Sequence, residues 1–323
     1  MYDVITIGGA TLDVFLSCHN FETIEHNGQK QIAFPAGAKI NVEQALFEAG
    51  GGGTNTATTF ARQRLKAAVI AKTGNDFAGA QVLKKLTEEH VDTQYLVQDP
   101  NDTTDFSTII WAPMKGSVIL VNRGKGKLEL SDIDWRSLPT RWFHISSIEG
   151  NVDIVEQIGE VCSSSNGKSK IAWNPGKKEL EKRDEVMGAL SCVELLITNK
   201  SEIQSLLDFQ SDTINEILQK AQHLPCRSVI ITDGHSGSHY WNGKNWKHAG
   251  IYEVERQEAT GAGDAFGAGF VTGLIKGYSE DDCLKLATAN AASVVTAPSA
   301  KKGILTEEQA KDWMGKELGI KNL

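Results

Sequence analysis

The sequence predicts an α/β protein whose mostly parallel sheet is covered by helices on both faces. From residue 140 to 232, short β-branched segments alternate with helical periodicity across short turns, which is typical of parallel strands joined by crossover helices. The chain opens with another such strand at residues 3–7, followed by Gly8 and Gly9. A glycine-rich helix at 261–276 follows the alternating region. These three observations fix the predicted fold class.

Length and composition fit one large domain. The chain has 323 residues, of which 40% are hydrophobic and 23% are charged, as in ordinary globular proteins. Because no repeat, low-complexity tract or linker divides the chain, we expect a single domain over residues 1–323, with lid strands inserted at about 14–40 and 104–125. The net charge of -8 argues against nucleic acid as a partner. A local cluster of N–H groups can still bind a phosphate.

The sequence carries no sign of a membrane or disulfide-bonded protein. No run reaches the roughly 18 consecutive apolar residues of a membrane span, and the first residues lack the basic region of a signal peptide. We therefore expect a cytoplasmic protein without a membrane partner. The five cysteines are scattered without a C-x-x-C pair, which predicts buried free thiols rather than disulfides or a zinc site.

The chain up to about residue 125 is predicted to hold a turn that faces a ligand and the strands of the lid. Asp13 follows the first strand at the expected carboxyl edge of the sheet, where ligands bind in open α/β folds, although a lone Asp there more often caps a turn. Arg123 is either a cation that faces a bound anion or a solvated loop residue. The lid is predicted from extended segments at residues 14–18, 29–34, 105–111 and 117–121.

Four consecutive glycines, Gly50 to Gly53, precede a helix predicted at 54–64. Such a run lets a ligand or a strand approach the backbone closely, and a flexible linker fits less well because serine-rich flanks are missing. The lysine of a P-loop does not follow, which excludes a Walker-type phosphate site. A strand at 67–71 and a helix at 76–90 come next, with Asn75 or Asp76 as its cap.

Polar residues follow two strands of the alternating region. The strand at 193–197 leads to Asn199 and Glu202, which taken alone form the capping box of a helix at 200–207. The strand at 228–232 leads into the run TDG. The remaining predicted elements are strands at 142–146 and 170–173 and helices at 151–163, 178–189, 213–223, 281–296 and 306–318.

The helix at 261–276 contains five glycines between Gly261 and Gly273. Each interior glycine costs about 1 kcal/mol relative to alanine, so the backbone must approach a neighbour or a ligand closely. Its first turn, from Gly261 through Ala262 to Gly263, would present unpaired N–H groups, an arrangement that binds anions. A carboxylate beside such a site, here Asp264, is explained by a general base at a phosphoryl-transfer centre.

In their order along the chain, these motifs resemble the ribokinase-like carbohydrate kinases of the PfkB family over essentially the full length. The amino-terminal signature is the run GGGTN at 51–55, and the carboxy-terminal signature is ATGAGDAF at 259–266. The run NKSE at 199–202 looks like the N-x-x-E element of the family. The run TDG at 232–234, with Gly237, is similar to its nucleotide loop.

The resemblance implies a Rossmann-like sheet with a β-strand lid and Mg²⁺-dependent transfer of the γ-phosphate of ATP to a hydroxyl of a sugar or sugar derivative. Asp264 would be the general base, and Gly261, Ala262 and Gly263 the anion hole. Glu202, with Asn199, would order the Mg²⁺. It also implies a homodimer formed through the lid strands. The implied nucleotide contacts are Asn199, Thr232, Gly234, Gly237, Asn290 and Gly303, and the implied acceptor contacts are Asp13, Gly51, Gly52, Asn55 and Arg123.

Two residues depart from the family pattern. Glu258 occupies a position that is usually Asp and that lies near a monovalent-cation site in relatives, which argues against activation by K⁺. Gly52 replaces a lysine of ribokinases, which argues against ribose as the acceptor. An adenosine-type nucleoside kinase on the same fold is the alternative function. A dinucleotide-dependent oxidoreductase lacks its G-x-G-x-x-G fingerprint at residues 8–13, and a non-catalytic sensor does not explain why Asp264 and Glu202 are retained.

Overall fold

The computed structural model describes residues 1–113, 115–124, 126–164, 169–255, 260–297 and 299–323. The first half of the chain runs from the main sheet into the lid, back to the main sheet and into the lid again. Its elements are β1 (Tyr2–Ile7), β2 (Thr11–Ser17), β3 (Glu22–His26), β4 (Gln29–Ala33), β5 (Gln44–Gly50), α1 (Gly52–Arg62), β6 (Ala67–Gly74), α2 (Phe77–Glu88), β7 (Leu96–Asp99), β8 (Asp105–Ala112) and β9 (Gly116–Asn122).

The second half supplies the alternating strands and helices and the closing antiparallel strands. Its elements are β10 (Thr140–Ile145), α3 (Asp153–Ser164), β11 (Lys170–Trp173), α4 (Lys177–Leu180), α5 (Arg183–Ala189), β12 (Leu195–Asn199), α6 (Lys200–Leu207), α7 (Ile214–Ala221), β13 (Ser228–Thr232), β14 (Ser238–Trp241), β15 (Trp246–Ala249), α8 (Ala262–Lys276), α9 (Glu280–Val295), α10 (Glu307–Met314) and β16 (Ile320–Asn322). Short 3-10 helices lie at Leu130–Asp132, Trp135–Ser137, Leu190–Cys192 and Gly234–Ser236.

The main sheet has ten strands in the order β16-β15-β14-β13-β12-β11-β10-β1-β6-β7. The strands from β7 to β13 are parallel, and β14, β15 and β16 extend the sheet antiparallel. Helices α3 to α7 pack on one face through one apolar cluster, and α1, α8, α9 and α10 pack on the other through a second. The mostly parallel sheet covered on both faces is therefore confirmed.

The lid is a separate four-stranded sheet in the order β5-β2-β8-β9, with the hairpin β3–β4 beside it. The predicted turn after β1 is absent: the chain passes Gly9 and continues as β2, because residues 11–17 pair with both β5 and β8. Asp13 therefore lies on a lid strand, opposite Glu48 and Ser107, rather than in a turn at the edge of the main sheet. The lid segment extends to Gly50 because β5, which the sequence patterns did not indicate, is its edge strand.

None of the helices in the described ranges is long and apolar enough to cross a membrane. No disulfide joins any of the five cysteines, all of which lie in the described ranges, and four of them are buried, namely Cys18, Cys162, Cys226 and Cys283. Burial raises the pKa of the Cys162, Cys226 and Cys283 thiols to about 12, so these thiols stay protonated and unreactive near neutral pH.

Candidate active site

The first turns of α1 and α8 meet at the carboxyl edge of the parallel strands. A Cβ at position 52 would lie 2.6 Å from Ser146 Cβ and 3.3 Å from Asp264 Oδ1. Asn55, one turn into α1, donates from Nδ2 to Asp264 Oδ2 at 2.9 Å. The fold thus brings the two sequence signatures together at Asp264.

Both helices begin at a glycine in the left-handed region of φ. Gly51 has a φ of 86° and Gly261 a φ of 81°. A Cβ on Gly51 would lie 2.4 Å from the carbonyl oxygen of Gly9, and one on Gly261 would lie 2.5 Å from Ala300 Cβ. Conformation and space therefore both require glycine at these two positions.

Three backbone N–H groups in the first turn of α8 have no hydrogen-bond acceptor among the residues that the structure describes. Within the described part of the chain, nothing accepts a hydrogen bond from the N–H of Ala262, Gly263 or Asp264. Gly263 is exposed, and no atom lies within 4 Å of the place where its Cβ would be. N–H groups that lack an acceptor among the described residues, at the positive end of a 15-residue helix, have the arrangement that can bind an anion.

The environment of Asp264 shifts its pKa upward. Burial raises the pKa of the carboxyl, while the hydrogen bond from Asn55 and the positive charge of Lys301 lower it, and the net shift is upward. A carboxyl whose pKa lies above its ordinary value is a stronger base when ionised. Its geometry and electrostatics therefore suit proton abstraction.

A cleft of about 280 Å³ opens beside this turn of α8. Three predicted nucleotide contacts, Thr232, Gly234 and Gly237, line it together with Ala262 and Gly263. Much of the remaining wall is apolar and was not predicted: it includes Ile251, Tyr252, Val254, Phe266, Ala291, Ala292 and Val295. The helical spacing of Ala291, Ala292 and Val295 on the predicted helix at 281–296 was the available signal for one wall.

Asn290 and Gly303, which the resemblance implied as nucleotide contacts, are not among the residues that line this cleft. The Asn290 side chain is buried, donates to the carbonyl oxygen of Ala265 at 2.8 Å and accepts from the N–H of Leu305 at 3.0 Å. A Cβ on Gly303 would lie 2.4 Å from the Cα of Val294. Both residues hold the loop after α9 against the helices. The Asn290 side chain is engaged in these hydrogen bonds, and there is no space for a side chain at Gly303.

Asn199 and Glu202 form the complete capping box of α6. Asn199 Oδ1 accepts from the N–H of Glu202 at 2.9 Å, and Glu202 Oε2 accepts from the N–H of Asn199 at 2.8 Å. Burial raises the pKa of Glu202, the Asn199 N–H lowers it, and the negative charge of Asp264 raises it further. The two carboxylates therefore repel each other across the site.

This donor set fits Mg²⁺. Glu202 Oε1 makes no hydrogen bond to any residue that the structure describes, and the two carboxylates repel in the absence of a cation. No three His, Cys, Asp or Glu side chains converge anywhere in the described ranges. Mg²⁺ sites usually have only one or two protein ligands, because the ion keeps several waters and binds substrate phosphates.

The predicted acceptor residues, apart from Arg123, lie in one continuous row. Asp13 accepts from Thr11 Oγ1 at 3.0 Å, and its carboxylate lies against Gly50, where a Cβ would be 1.9 Å from Asp13 Oδ2. Burial raises the pKa of Asp13, while hydrogen bonds from Thr11 and Ser107 lower it. From there the backbone passes Gly51 and Gly52 to reach Asn55 and Asp264.

Arg123 lines a smaller cleft, of about 60 Å³, with Gly8, Gly9 and Ala10. Its Nη1 lies 2.9 Å from Asp105 Oδ2 and 3.8 Å from Glu149 Oε1, and its side chain is 57% exposed. Two carboxylates therefore already neutralise the cation that the sequence suggested for a bound anion.

Two buried polar atoms beside Asp264 lack a partner. Asn55 Oδ1 and Ser146 Oγ make no hydrogen bond to any residue that the structure describes. Ser146, which the sequence patterns did not single out, follows β10 and lies between Gly8 and Gly52. Glu258 and Ala259, at the start of the carboxy-terminal signature, lie outside the described residues.

Known proteins resemble this chain over most of its length. The profile of the pfkB family carbohydrate kinases matches residues 7–307. An ATP-dependent 6-phosphofructokinase of Thermoanaerobacterium thermosaccharolyticum is 26% identical over 313 residues, covering 89% of this chain and 86% of the relative.

Two solved structures share the fold. The Methanocaldococcus jannaschii nucleoside kinase, an archaeal member of the ribokinase family, has a TM-score of 0.71 at 20% identity and covers 98% of this chain and 99% of its own. A structure from E. coli, solved in complex with ATP and Mg²⁺, has a TM-score of 0.79 at 20% identity and covers 98% and 100%.

Proposed function

The chain belongs to the pfkB family of carbohydrate kinases and is an ATP-dependent sugar kinase, and from this premise we propose that Asp264 is its general base. The enzyme would transfer the γ-phosphate of ATP to a hydroxyl of a sugar or sugar derivative. The observation that carries the proposal is the convergence of two glycine-led helix N-termini on Asp264, which Asn55 orients at 2.9 Å.

In the proposed reaction, Asp264 accepts the proton of the acceptor hydroxyl. The hydroxyl oxygen then bonds to the γ-phosphorus as the bond from that phosphorus to the bridging oxygen breaks, and ADP leaves. Asn55 holds one carboxylate oxygen, so that the other, which faces Gly52, remains available for the proton. Such positioned base catalysis contributes about 10²–10⁴-fold.

The N–H groups of Ala262, Gly263 and Asp264 would stabilise charge on the transferring phosphoryl. In other enzymes, the loss of one such donor costs about 10²–10³-fold in kcat. ATP would lie in the larger cleft, with its phosphates at Thr232, Gly234 and the first turn of α8 and its base between the apolar walls. The E. coli structural neighbour with ATP and Mg²⁺ supports both the donor and the ion.

Glu202 would hold Mg²⁺ through its free oxygen and through waters. The ion, when bound, would neutralise charge on the phosphate oxygens. On the protein side, Asn199 fixes the Glu202 carboxylate through the reciprocal capping bonds. The ion would also relieve the repulsion between Glu202 and Asp264.

A sugar fits the acceptor side better than a nucleoside does. The smaller cleft beside the acceptor row has no aromatic ring among its described lining residues, and a nucleobase is usually held by aromatic or other flat surfaces. The nucleoside kinase from M. jannaschii nevertheless shares the fold. A coupled ATP-consumption screen over pentoses, hexoses, keto-deoxy acids, sugar phosphates and nucleosides tests this choice, and turnover confined to nucleosides would reverse it.

Replacing Asp264 tests the base directly. We expect Asp264→Asn to lower kcat by about 10²–10⁴-fold with the Kd for ATP unchanged in calorimetry. Asp184→Asn, at an exposed position on α5, is the matched control and should keep full activity. A kcat of Asp264→Asn within threefold of the parent would reject the assignment.

We also propose a homodimer through the lid. On β9, an edge strand, Val118, Ile119, Leu120 and Val121 are 39–54% exposed. A bare apolar edge strand is a template for pairing with a second copy. Leu120→Lys should halve the mass measured by light scattering after gel filtration, whereas Phe77→Lys, at a 71% exposed position on α2, should not. A monomeric parent protein would reject the proposal.

A further inference from the structure

Lys301 is buried at the back of the acceptor row. Lys301 is 4% exposed, and no other lysine in the described ranges is buried. It belongs to the loop between α9 and α10, and its Nζ donates to Thr54 Oγ1, in the first turn of α1, at 2.7 Å. A lysine is almost never buried to this extent without an electrostatic reason.

The backbone around Lys301 is clamped to the far end of α1. Arg62 Nη1 donates to the carbonyl oxygens of Lys301 and Ile304 at 2.7 and 2.8 Å, and Gln63 Nε2 donates to that of Leu305 at 2.9 Å. The Lys301 side chain therefore runs from a fixed point at the end of α1 back to the beginning of the same helix. Its position is determined by the fold.

The first turn of a helix is an unfavourable place for a cation, because the helix dipole is positive there. Nearby carboxylates offset this cost: Glu48 on β5, Glu89 after α2 and Asp13 on β2 all favour the charged lysine, and Arg62 on α1 opposes it. Within the described residues, no carboxylate oxygen lies within 4 Å of Lys301 Nζ. The ammonium thus acts on several carboxylates at once and forms no single ion pair.

The same charge acts on the reaction centre. The positive charge of Lys301 lowers the pKa of Asp264, of Asp13 and of Glu48, in each case against the effect of burial. Asn55 and Lys301 are the groups that lower the pKa of Asp264. The negative charge of Glu202 faces the same carboxylate and opposes its ionisation.

We propose that Lys301 is a positioning residue of the kinase reaction, whose buried ammonium is a built-in countercharge that keeps Asp264 and Asp13 ionised and fixes the first turn of α1 beside them. The proposal rests on the assignment of Asp264 as general base. Lys301 itself touches neither cleft and is not a catalytic residue.

If Lys301 is such a countercharge, the pH dependence of kcat/KM should change when it is removed. Burial lowers the pKa of Lys301 to about 7, against the raising effects of Glu48, Glu89 and Asp13. Because a positive neighbour lowers the pKa of a carboxyl, removing it raises the pKa of Asp264. The acid limb of the kcat/KM profile must then move to higher pH, by about one pH unit, which is the low end of the shift that an opposite charge produces.

The test compares Lys301→Met, which keeps the length and removes the charge, with Lys301→Gln, which can still donate to Thr54. Both should shift the acid limb by about one pH unit, or roughly tenfold in kcat/KM at acid pH, and approach parent activity at alkaline pH. Lys302→Met, at an exposed neighbouring lysine, should leave the profile unchanged. A lower plateau with an unmoved acid limb would overturn the proposal, since it would indicate a purely structural role.

A second measurement keeps Lys301 in place, in the parent enzyme and in Asp13→Asn, and so does not depend on the folding of the Lys301 variants. With ¹³C at the lysine Cε positions, one resonance should titrate near pH 7, and Asp13→Asn should lower its midpoint because an anion is removed. An unmoved midpoint would overturn the proposal. The outcome is separate from the base assignment: if Asp264→Asn keeps turnover, the base is wrong, yet the lysine titration still tests the coupling to Asp13.

Discussion

The N-termini of α1 and α8 are built alike and used differently. Both helices begin at a positive-φ glycine without a side-chain cap. In front of α1, however, protein fills the space: the N–H of Gly53 donates to the carbonyl oxygen of Gly9 at 3.1 Å, and a Cβ there would lie 2.8 Å from the carbonyl oxygen of Gly8. In front of Gly263 on α8, no atom of the described residues lies within 4 Å of the place where a Cβ would be, and the larger cleft opens there.

The difference shows that a glycine at the start of a helix can have either of two structural roles. On α1, it allows two backbones to touch, so that the row from Asp13 to Asp264 is narrow and fixed. On α8, it leaves N–H groups open to a ligand. The sequence pattern is the same, and only the neighbour across the turn tells the two apart.

The sharpest test of this comparison pairs Gly53→Ala with Gly263→Ala. Gly53→Ala should destabilise the fold by about 1–3 kcal/mol, because its Cβ would overlap backbone atoms of Gly8. Gly263→Ala should leave the fold intact and lower kcat by about 10²-fold, because the methyl group displaces the phosphoryl from its donors. Thermal unfolding and steady-state kinetics on both variants check this, and equal loss of stability would erase the distinction.

A second test concerns Gly52, where the two first turns meet. Gly52→Ala should cost about 1–3 kcal/mol in the free energy of unfolding, because its Cβ would lie 2.6 Å from Ser146 Cβ. In a Ser146→Gly background this cost should fall markedly, because the clashing atoms are gone. Chemical unfolding of the four proteins of the cycle gives the coupling energy. Additive effects would mean that Ser146 does not limit the space at Gly52.

A third test uses pH and compares Asp264 with Asp76, the cap of α2. The pKa of Asp264 is raised, so its ionisation disfavours the native state as pH rises through the folded pKa. Burial would also raise the pKa of Asp76, but the N–H groups of Gly79 and Thr104 outweigh it and lower the pKa, so its ionisation stabilises the native state.

Asp264→Asn should therefore raise the Tm at pH 8, and Asp76→Asn should lower it. The Asp264 difference should shrink as the pH falls to the ordinary pKa of Asp, about 4, because that carboxyl is then protonated in the native protein. The Asp76 difference should persist down to about pH 4 and shrink only below it, as the pH falls through the lowered pKa of the folded state. Calorimetric scans between about pH 2 and 8 supply the measurement. Differences of the same sign at pH 8 would contradict the assigned electrostatics.

The smallest effect is expected at Arg123. Its side chain is 57% exposed and paired with Asp105 and Glu149, and exposed ion pairs contribute about 0–1 kcal/mol. Arg123→Ala should change the acceptor KM by less than about threefold, because this cation is already neutralised. A tenfold rise in that KM, with the KM for ATP unchanged, would restore Arg123 as an acceptor contact.

The sequence was most informative where the apolar pattern is long or the local chemistry is decisive. The strands at 170–173 and 228–232 and the helix at 200–207 match the structure residue for residue, and Asp76 caps α2 through the N–H of Gly79 at 2.8 Å. The strands β5, β14, β15 and β16 were not predicted. β14, β15 and β16 have only three or four residues each, and all four strands carry polar residues, so their pairing depends on neighbours distant in sequence.

The candidate site divides in the same way. Gly52, Asn55 and Asp264 could be identified because each lies in a glycine-rich helix start that is visible in the sequence. The burial of Lys301 could not, because it depends on Thr54, which is 247 residues away in the chain. Asn290 and Gly303 were placed near the nucleotide by resemblance alone, and their packing against α8 and α9 leaves no local signal in the sequence.

These distant contacts have a consequence for the order of folding. The bonds from Asn55 to Asp264 and from Arg62 to Lys301 span 209 and 239 residues, and contacts of such separation form late because long loops must close first. During synthesis, the amino-terminal half can complete β1, α1 and the lid, but α1 stays unclamped until residues 299–305 emerge. We therefore expect the candidate site to assemble only after the carboxy-terminal loop docks against α1.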